Sequence, residues 1–196
     1  GTHSRVALND AVFAGAMTGH AADINDFCPS AYVQPGPAIL PVTLALAELR
    51  HKSGAAVLRA VITGYELACR VPKALGAENL RRMGIANHGI GPIFGAGAAA
   101  ASIIGLSKER VADLLSYCAQ QASGSWQWLL DVEHVEKAFV FAGMGARNGL
   151  HAALLVEAGF TGVPDSWDRP GGWMGSRVFS GPESDINRGY LIQDLG

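Results

Sequence analysis

Along most of the chain, apolar residues recur with the 3.6-residue repeat of an α-helix, and the repeat breaks at a few places rich in Gly and Pro. A first helix is predicted from Arg5 to about Ala22, rich in Ala, with Val6, Phe13 and Met17 among its bulky members. From Asp23 to Pro37 the periodicity fails, and Pro29, Pro35, Gly36 and Pro37 predict an ordered loop. A second helix runs from about Ala38 to His51, with Pro41 in its first turn, where a missing N–H is tolerated. Ser53-Gly54 interrupts the chain, and a third helix is predicted to about Arg70, ahead of Pro72. Arg81 to Gly91 reads as a loop, and a helix of small residues follows it. Ser107 is placed to cap the next helix, where Val111, Leu114, Leu115 and Cys118 recur at i, i+3, i+4 and i+7 to make one buried face. Trp126 to Glu133 predicts a short helix. A longer one from about Phe141 to Glu157 is closed by Gly159.

Strand signals are nearly absent. Val132 to Phe141 has a β-branched and aromatic stretch, but Glu133, Glu136 and Lys137 interrupt it. After Phe160 amphipathic order fades and Gly, Pro, Trp, Asp and Ser dominate. Helices with short connections predict an all-α, multi-helix bundle. The expected organisation is a helical-bundle domain over residues 1–160, with 161–196 an irregular covering segment or a linker towards a second domain.

Composition narrows the function classes. Of the 196 residues, 49% are apolar and 16% charged, enough to fill a core and too apolar for a disordered chain. A net charge of −2 and no Lys/Arg-rich run give no electrostatic reason to expect nucleic acid or an anionic membrane as partner. Cys28, Cys69 and Cys118 are odd in number and far apart, which fits neither a disulfide framework nor close-paired metal ligands. They read as reduced thiols, and the expected compartment is the cytoplasm. No secretory leader pattern follows Gly1. Ile90 to Leu106 carries no charge and reaches the lower length limit of a membrane span. Its Ala and Gly content, and Lys108-Glu109-Arg110 just beyond, point instead to a buried helix packed through small residues.

Three places could carry chemistry. In His20-Ala-Ala-Asp-Ile-Asn-Asp26, His20 and Asp23 are three apart and could share a helical face. That cluster could hold or orient a catalytic base, or ligate magnesium through Asp23 and Asp26, or simply end a helix with turn chemistry. Around Asn87-His88-Gly89, a histidine precedes an apolar helix whose N-terminal amides would attract an anion, and there it could serve as acid or base. The plainer reading is a loop histidine at a Gly-rich turn. Lys137 is a lone cation among apolar neighbours. It could bind a carboxylate against an apolar wall, or snorkel to water.

Taken in order, these stretches resemble the MmgE/PrpD family. The run from His20 to Asp26 with Pro35-Gly-Pro-Ala-Ile-Leu-Pro-Val-Thr-Leu-Ala-Leu-Ala-Glu48 is similar to the family's H-x-x-D-F-D-D-T-H…H-P-S-x-x-x-L-P-A-x-L-A-L-A-E. Gly64 to Arg70 resembles its third helix, and Gly91 to Leu106 its Ala-rich helix ending in Gly-Leu. Gln120-Gln-Ala-Ser-Gly124 and Lys137 to Gly162 complete a series covering about residues 6 to 182. Asp23 matches the first family aspartate and Asp26 the last, with Asn25 replacing the middle one. His88 approximates the histidine ahead of the Ala-rich helix, and Lys137 matches the lysine that faces substrate carboxylates. Two departures stand out: Phe27 replaces a threonine, and Gln34 replaces the histidine of H-P-S.

The resemblance implies a helical domain carrying most of an active site, a second α+β domain beyond this stretch, and a homodimer built through the helices. It implies a lyase of dehydratase or decarboxylase type that needs no metal and no organic cofactor and acts on a small di- or tricarboxylate such as 2-methylcitrate. An epimerase or isomerase of the same family, or a non-catalytic helical scaffold, is the alternative. The expected catalytic residues are Asp23, His88 and Lys137, with Gln34 and Asn87 binding substrate. Glutamine can hydrogen-bond a carboxylate but cannot move a proton at neutral pH, so Gln34 leaves the reaction type open. Residues 1–196 alone are expected to be inactive.

Overall fold

The computed structural model describes residues 4–167, 169, 171–175 and 186–194. These residues form an all-α bundle: α1 (Leu8–His20), α2 (Gly36–Leu49), α3 (Gly54–Leu75), α4 (Ala77–Arg82), α5 (Asn87–Ile104), α6 (Val111–Gln121), α7 (Val135–Ala138) and α8 (Met144–Glu157). Among them no strand forms, only isolated antiparallel bridges at Cys28–Val33 and Ile85–Ser125.

The small-residue helix α5 is the axis of the bundle. Sixteen of its eighteen residues are buried, with α2, α3, α6 and α8 packed around it. Its glycines let backbones meet. A Cβ on Gly95 would lie 2.7 Å from the Gly64 carbonyl of α3, and one on Gly149 of α8 would lie 2.5 Å from the Ile93 carbonyl. Such approach leaves no room for larger side chains, which is why the uncharged run makes a core helix. The helix from Val135 to Glu157 is long and apolar enough to cross a membrane, yet 67% of its most apolar window is buried in the bundle, as a core helix would be.

Three elements depart from the sequence expectation. Helix α3 passes through Pro72 and ends at Leu75. Proline there withholds one N–H from the Ala68 carbonyl, and Gly91 of α5 packs directly against that carbonyl and against the Pro72 ring, so close helix packing surrounds the proline inside α3. The predicted loop Arg81–Gly91 holds the end of α4 and the first turn of α5, which begins at Asn87. Tertiary packing overrides weak propensity here: the backbone at Gly89 lies against Ser123 and Gly124, and Ala86 N–H donates to the Gly124 carbonyl. The last long helix starts before Phe141, because α7 runs through a π turn, Phe139–Gly143, into α8. Asp131 starts α7, its carboxylate accepting from the Glu133 and Lys137 backbone N–H groups at 3.2 and 2.8 Å.

The expectation for 161–196 falls partly outside the described residues. In the part described, Trp167 and Trp173 close on Phe94 with ring centroids 5.0 Å away, and Met174 is fully buried. Further along, Asn187 N–H donates to Ala74 of α3, and Arg70 donates to the Tyr190 and Gln193 carbonyls. The three cysteines are free thiols, and burial pushes Cys118 up to about 12.

Candidate active site

Helix α1 ends at His20, and the chain leaves it through Asp23 at φ 51°. The Asp23 N–H donates to the His20 carbonyl at 2.8 Å, so the pair forms a left-handed helix cap instead of one helical face. Aspartate tolerates that backbone region better than most residues. The turn brings Asp23 Oδ1 to 3.8 Å from His20 Nε2. Asp26 faces another way: both its oxygens accept the Gly36 N–H at the start of α2, and the Tyr65 hydroxyl bonds it too. Its role is to seat α2. Among the described residues no group of three or more His, Cys, Asp or Glu is placed to share a metal ion.

Residues 28–33 fold as a tight turn closed by the Cys28–Val33 bridge, with Tyr32 at φ 54°. Gln34 follows it, and Gln34 Oε1 lies 2.8 Å from His20 Nε2. The Asn87 side-chain amide donates to the Ala31 and Ala77 carbonyls, bracing this turn from beneath, while its Oδ1 is buried without a partner. Phe27 is half-exposed and packs edge-on against Tyr32, with centroids 5.3 Å apart.

Helix α7 supplies the cation. Lys137 Nζ donates to Asp23 Oδ2 at 2.5 Å, and its side chain is 14% exposed. The ammonium lies over the rings of Phe141 and Trp128 at 5.4 and 5.6 Å, a cation–π setting that suits a half-desolvated charge. Partial burial alone would raise the Asp23 pKa. The Lys137 hydrogen bond and charge, a hydrogen bond from Gln34 and the neighbouring His20 together hold it below the ordinary carboxylate range.

His88, in the first turn of α5, is 2% exposed and stacks on Phe141 at 3.6 Å with the planes 12° apart. Tyr32 and Trp128 meet its edges at 5.4 and 5.7 Å. Neither ring nitrogen has a partner. Burial pushes its pKa down to about 3, with the charges of His20 and Lys137 acting in the same direction and Asp23 against. His20 also meets Phe141, edge-on with its ring 5.0 Å away, and burial lowers its pKa as well.

The tertiary structure therefore gathers Asp23, Gln34, His88 and Lys137 into one aromatic-walled corner and sets Asn87 beneath it. Sequence reasoning placed His20 in a candidate cluster without giving it a catalytic or binding role, and left Tyr32, Trp128 and Phe141 out of the site. The only signal of these three was proximity in sequence to the chosen residues, and the π turn that brings Phe141 against both histidines has no sequence signature of its own.

Comparison with known proteins bears on the same residues. The chain is 33% identical over 168 residues to a cis-aconitate decarboxylase-like protein, oryM, of Aspergillus oryzae, an alignment covering 79% of this chain and 33% of that protein. It is 29% identical over 201 residues to the cis-aconitate decarboxylase of Aspergillus terreus, covering 93% of this chain and 39% of that enzyme. The chain thus spans between 33% and 39% of the length of these curated relatives. The profile of the MmgE/PrpD N-terminal domain matches residues 1–186, and with the all-α fold and this polar corner in place, the chain belongs to the MmgE/PrpD family.

Proposed function

We propose that this chain contributes the helical half of a lyase active site that transfers a proton at a carbon next to a carboxylate of a small di- or tricarboxylate. Family relatives named as cis-aconitate decarboxylases support the decarboxylase or dehydratase type. The observation that carries the reading is the meeting, across 114 residues of sequence, of the Asp23–Lys137 ion pair with a buried imidazole bearing two unpartnered nitrogens. Lys137 clamps a substrate carboxylate, and Asp23 keeps the ammonium aimed at the corner. His88 is held neutral by its burial, the form that can accept a proton. A polycarboxylate entering beside it brings negative charge that favours the imidazolium and so raises its basicity. Charge that develops at the reacting carboxylate is met by the lysine inside low-dielectric aromatic walls, where such contacts gain strength.

Gln34 and Asn87 have different parts in this proposal. Gln34 can hydrogen-bond a substrate oxygen but moves no proton. Asn87, with its amide hydrogens already bonded to the backbone, is left with an acceptor only. Gln34 also motivates the alternatives, an epimerase or isomerase or a non-catalytic scaffold, because the family pattern has histidine there. A homodimer through the helical domain, no metal or organic cofactor, and a cytoplasmic setting belong to the same proposal.

Solvent deuterium exchange into methylcitrate, citrate, cis-aconitate and an iminodisuccinate-like substrate tests it, using the protein with whatever further domain its gene encodes. Exchange into at least one, lost in His88→Ala, is the expected result, and the product identifies the reaction. No exchange into any of the four leaves the scaffold reading standing in its place.

A further inference from the structure

His20 has no place in the proton transfer just described, yet it is 1% exposed and polar, an arrangement that costs free energy unless it is bonded to some purpose. Among the described residues its side-chain hydrogen-bond partner is Gln34. Gln34 and Asp23 both border His20 Nε2, and the Gln34 amide acts to lower the Asp23 pKa. An ionised carboxylate only accepts, so the Gln34 amide must turn its NH2 group to Asp23 and its Oε1 to His20. A carbonyl oxygen only accepts as well. The His20 proton therefore sits on Nε2, and Nδ1 is left bare, consistent with its buried and unpartnered position. Four side chains from three parts of the chain then form one directed string, ending on the Lys137 ammonium 2.5 Å from Asp23.

We propose that His20 is a positioning residue that acts through Gln34, its Nε2–H orienting the Gln34 amide so that the amide holds Asp23 and Asp23 holds Lys137. This rests on the role given to Lys137 above. A glutamine passes no proton, so the string aligns the ion pair while insulating it from His20. That is a physical consequence of glutamine at position 34; it is burial that lowers the His20 pKa, against the raising pull of the Gln34 hydrogen bond and of the Asp23 carboxylate 3.8 Å away. Asp23 is faced by Lys137 from α7 and by His20 from α1. His20 is faced in turn by Asp23, Lys137 and His134, and its charge also acts on His88.

The test is nuclear magnetic resonance on protein labelled with 15N in histidine and 13C in the aspartate carboxyls. The His20 ring should show the Nε2–H tautomer between pH 6.5 and 8. In His20→Phe, which keeps an aromatic ring against Phe141 but removes the donor, the Asp23 titration midpoint should rise by about one unit. His20→Gln, which can place a donor where Nε2 lies, should restore it. Gln34→Leu should move Asp23 in the same direction while leaving α1 untouched, and it decides the matter if His20→Phe does not fold. An Nδ1–H tautomer in the parent protein, or an Asp23 midpoint unmoved in Gln34→Leu, overturns the proposal. None of these readings uses turnover, so they stand or fall separately from the deuterium-exchange result.

Discussion

The ammonium of Lys137 and the carboxylate of Asp23 meet at 2.5 Å, although 114 residues separate them in the chain. The contact joins the cap of α1 to the first turn of α7, and it is under-solvated: Lys137 is 14% exposed and Asp23 34%. Neither group needs the other to stay charged in water, so their pairing in a corner walled by Phe141 and Trp128 has to serve the fold or the chemistry.

Activity distinguishes the two. Lys137→Ala and His88→Ala should each lower turnover of the responsive substrate by at least about a hundredfold, the scale of a lost acid–base or charge-stabilising group. Steady-state kinetics on both variants, with circular dichroism to confirm folding, is the measurement. Near-parental turnover in both would remove the catalytic assignment.

Stability should depend on pH through His88. Its folded pKa, about 3, lies below the ordinary 6.5, so between those values the unfolded chain binds the proton that the folded protein refuses. The contribution is fully present above pH 6.5 and is lost progressively as pH falls towards about 3. His20, whose pKa is also lowered, acts in the same direction. Urea midpoints between pH 4 and 8 should therefore fall on acidification. His88→Phe, which keeps the stack on Phe141, should flatten that slope; an unchanged slope would show that His88 is not its source.

Packing around α5 makes a sharper prediction. Gly149→Ala would set a methyl 2.5 Å from the Ile93 carbonyl and 2.6 Å from the Gly97 nitrogen, both backbone atoms that cannot swing aside. The cost should be about 1–3 kcal/mol. Gly19→Ala, on the exposed side of α1 with nothing within 4 Å, should instead stabilise by about 0.5–1 kcal/mol. Equal effects in denaturant titrations would contradict the backbone-contact account.

Association can be tested on the outer helices. Leu40 and Leu44 of α2 and Leu58 and Ile62 of α3 are exposed, each pair at helical spacing. If the proposed homodimer uses this face, sedimentation should show a dimer at micromolar concentration, and Leu44→Glu with Ile62→Glu should shift it to monomer. A monomer in the parent protein would refute the association.

The sequence by itself determined the helical class, because a 3.6-residue apolar repeat with few β-branched runs can bury its faces only by packing helices together. It also determined that Ile90–Leu106 is special: a charge-free run of Ala and Gly can be buried on all sides where a bulkier helix could not. Family resemblance then picked out Asp23, His88 and Lys137. What it could not supply was their relation. Whether Pro72 ends a helix depends on whether another backbone, here Gly91, comes to lie on the orphaned carbonyl. Whether His88 sits in a loop or a helix depends on Ser123 and Gly124 meeting it from a distant segment. That His20 is a partner of Gln34, that Phe141 touches both histidines, and that Asp131 starts the turn carrying Lys137 all follow from long-range packing. Local periodicity records which face of a helix is buried. Which side chains meet across the interior is decided by how the helices cross, and that depends on every other helix in the bundle at once.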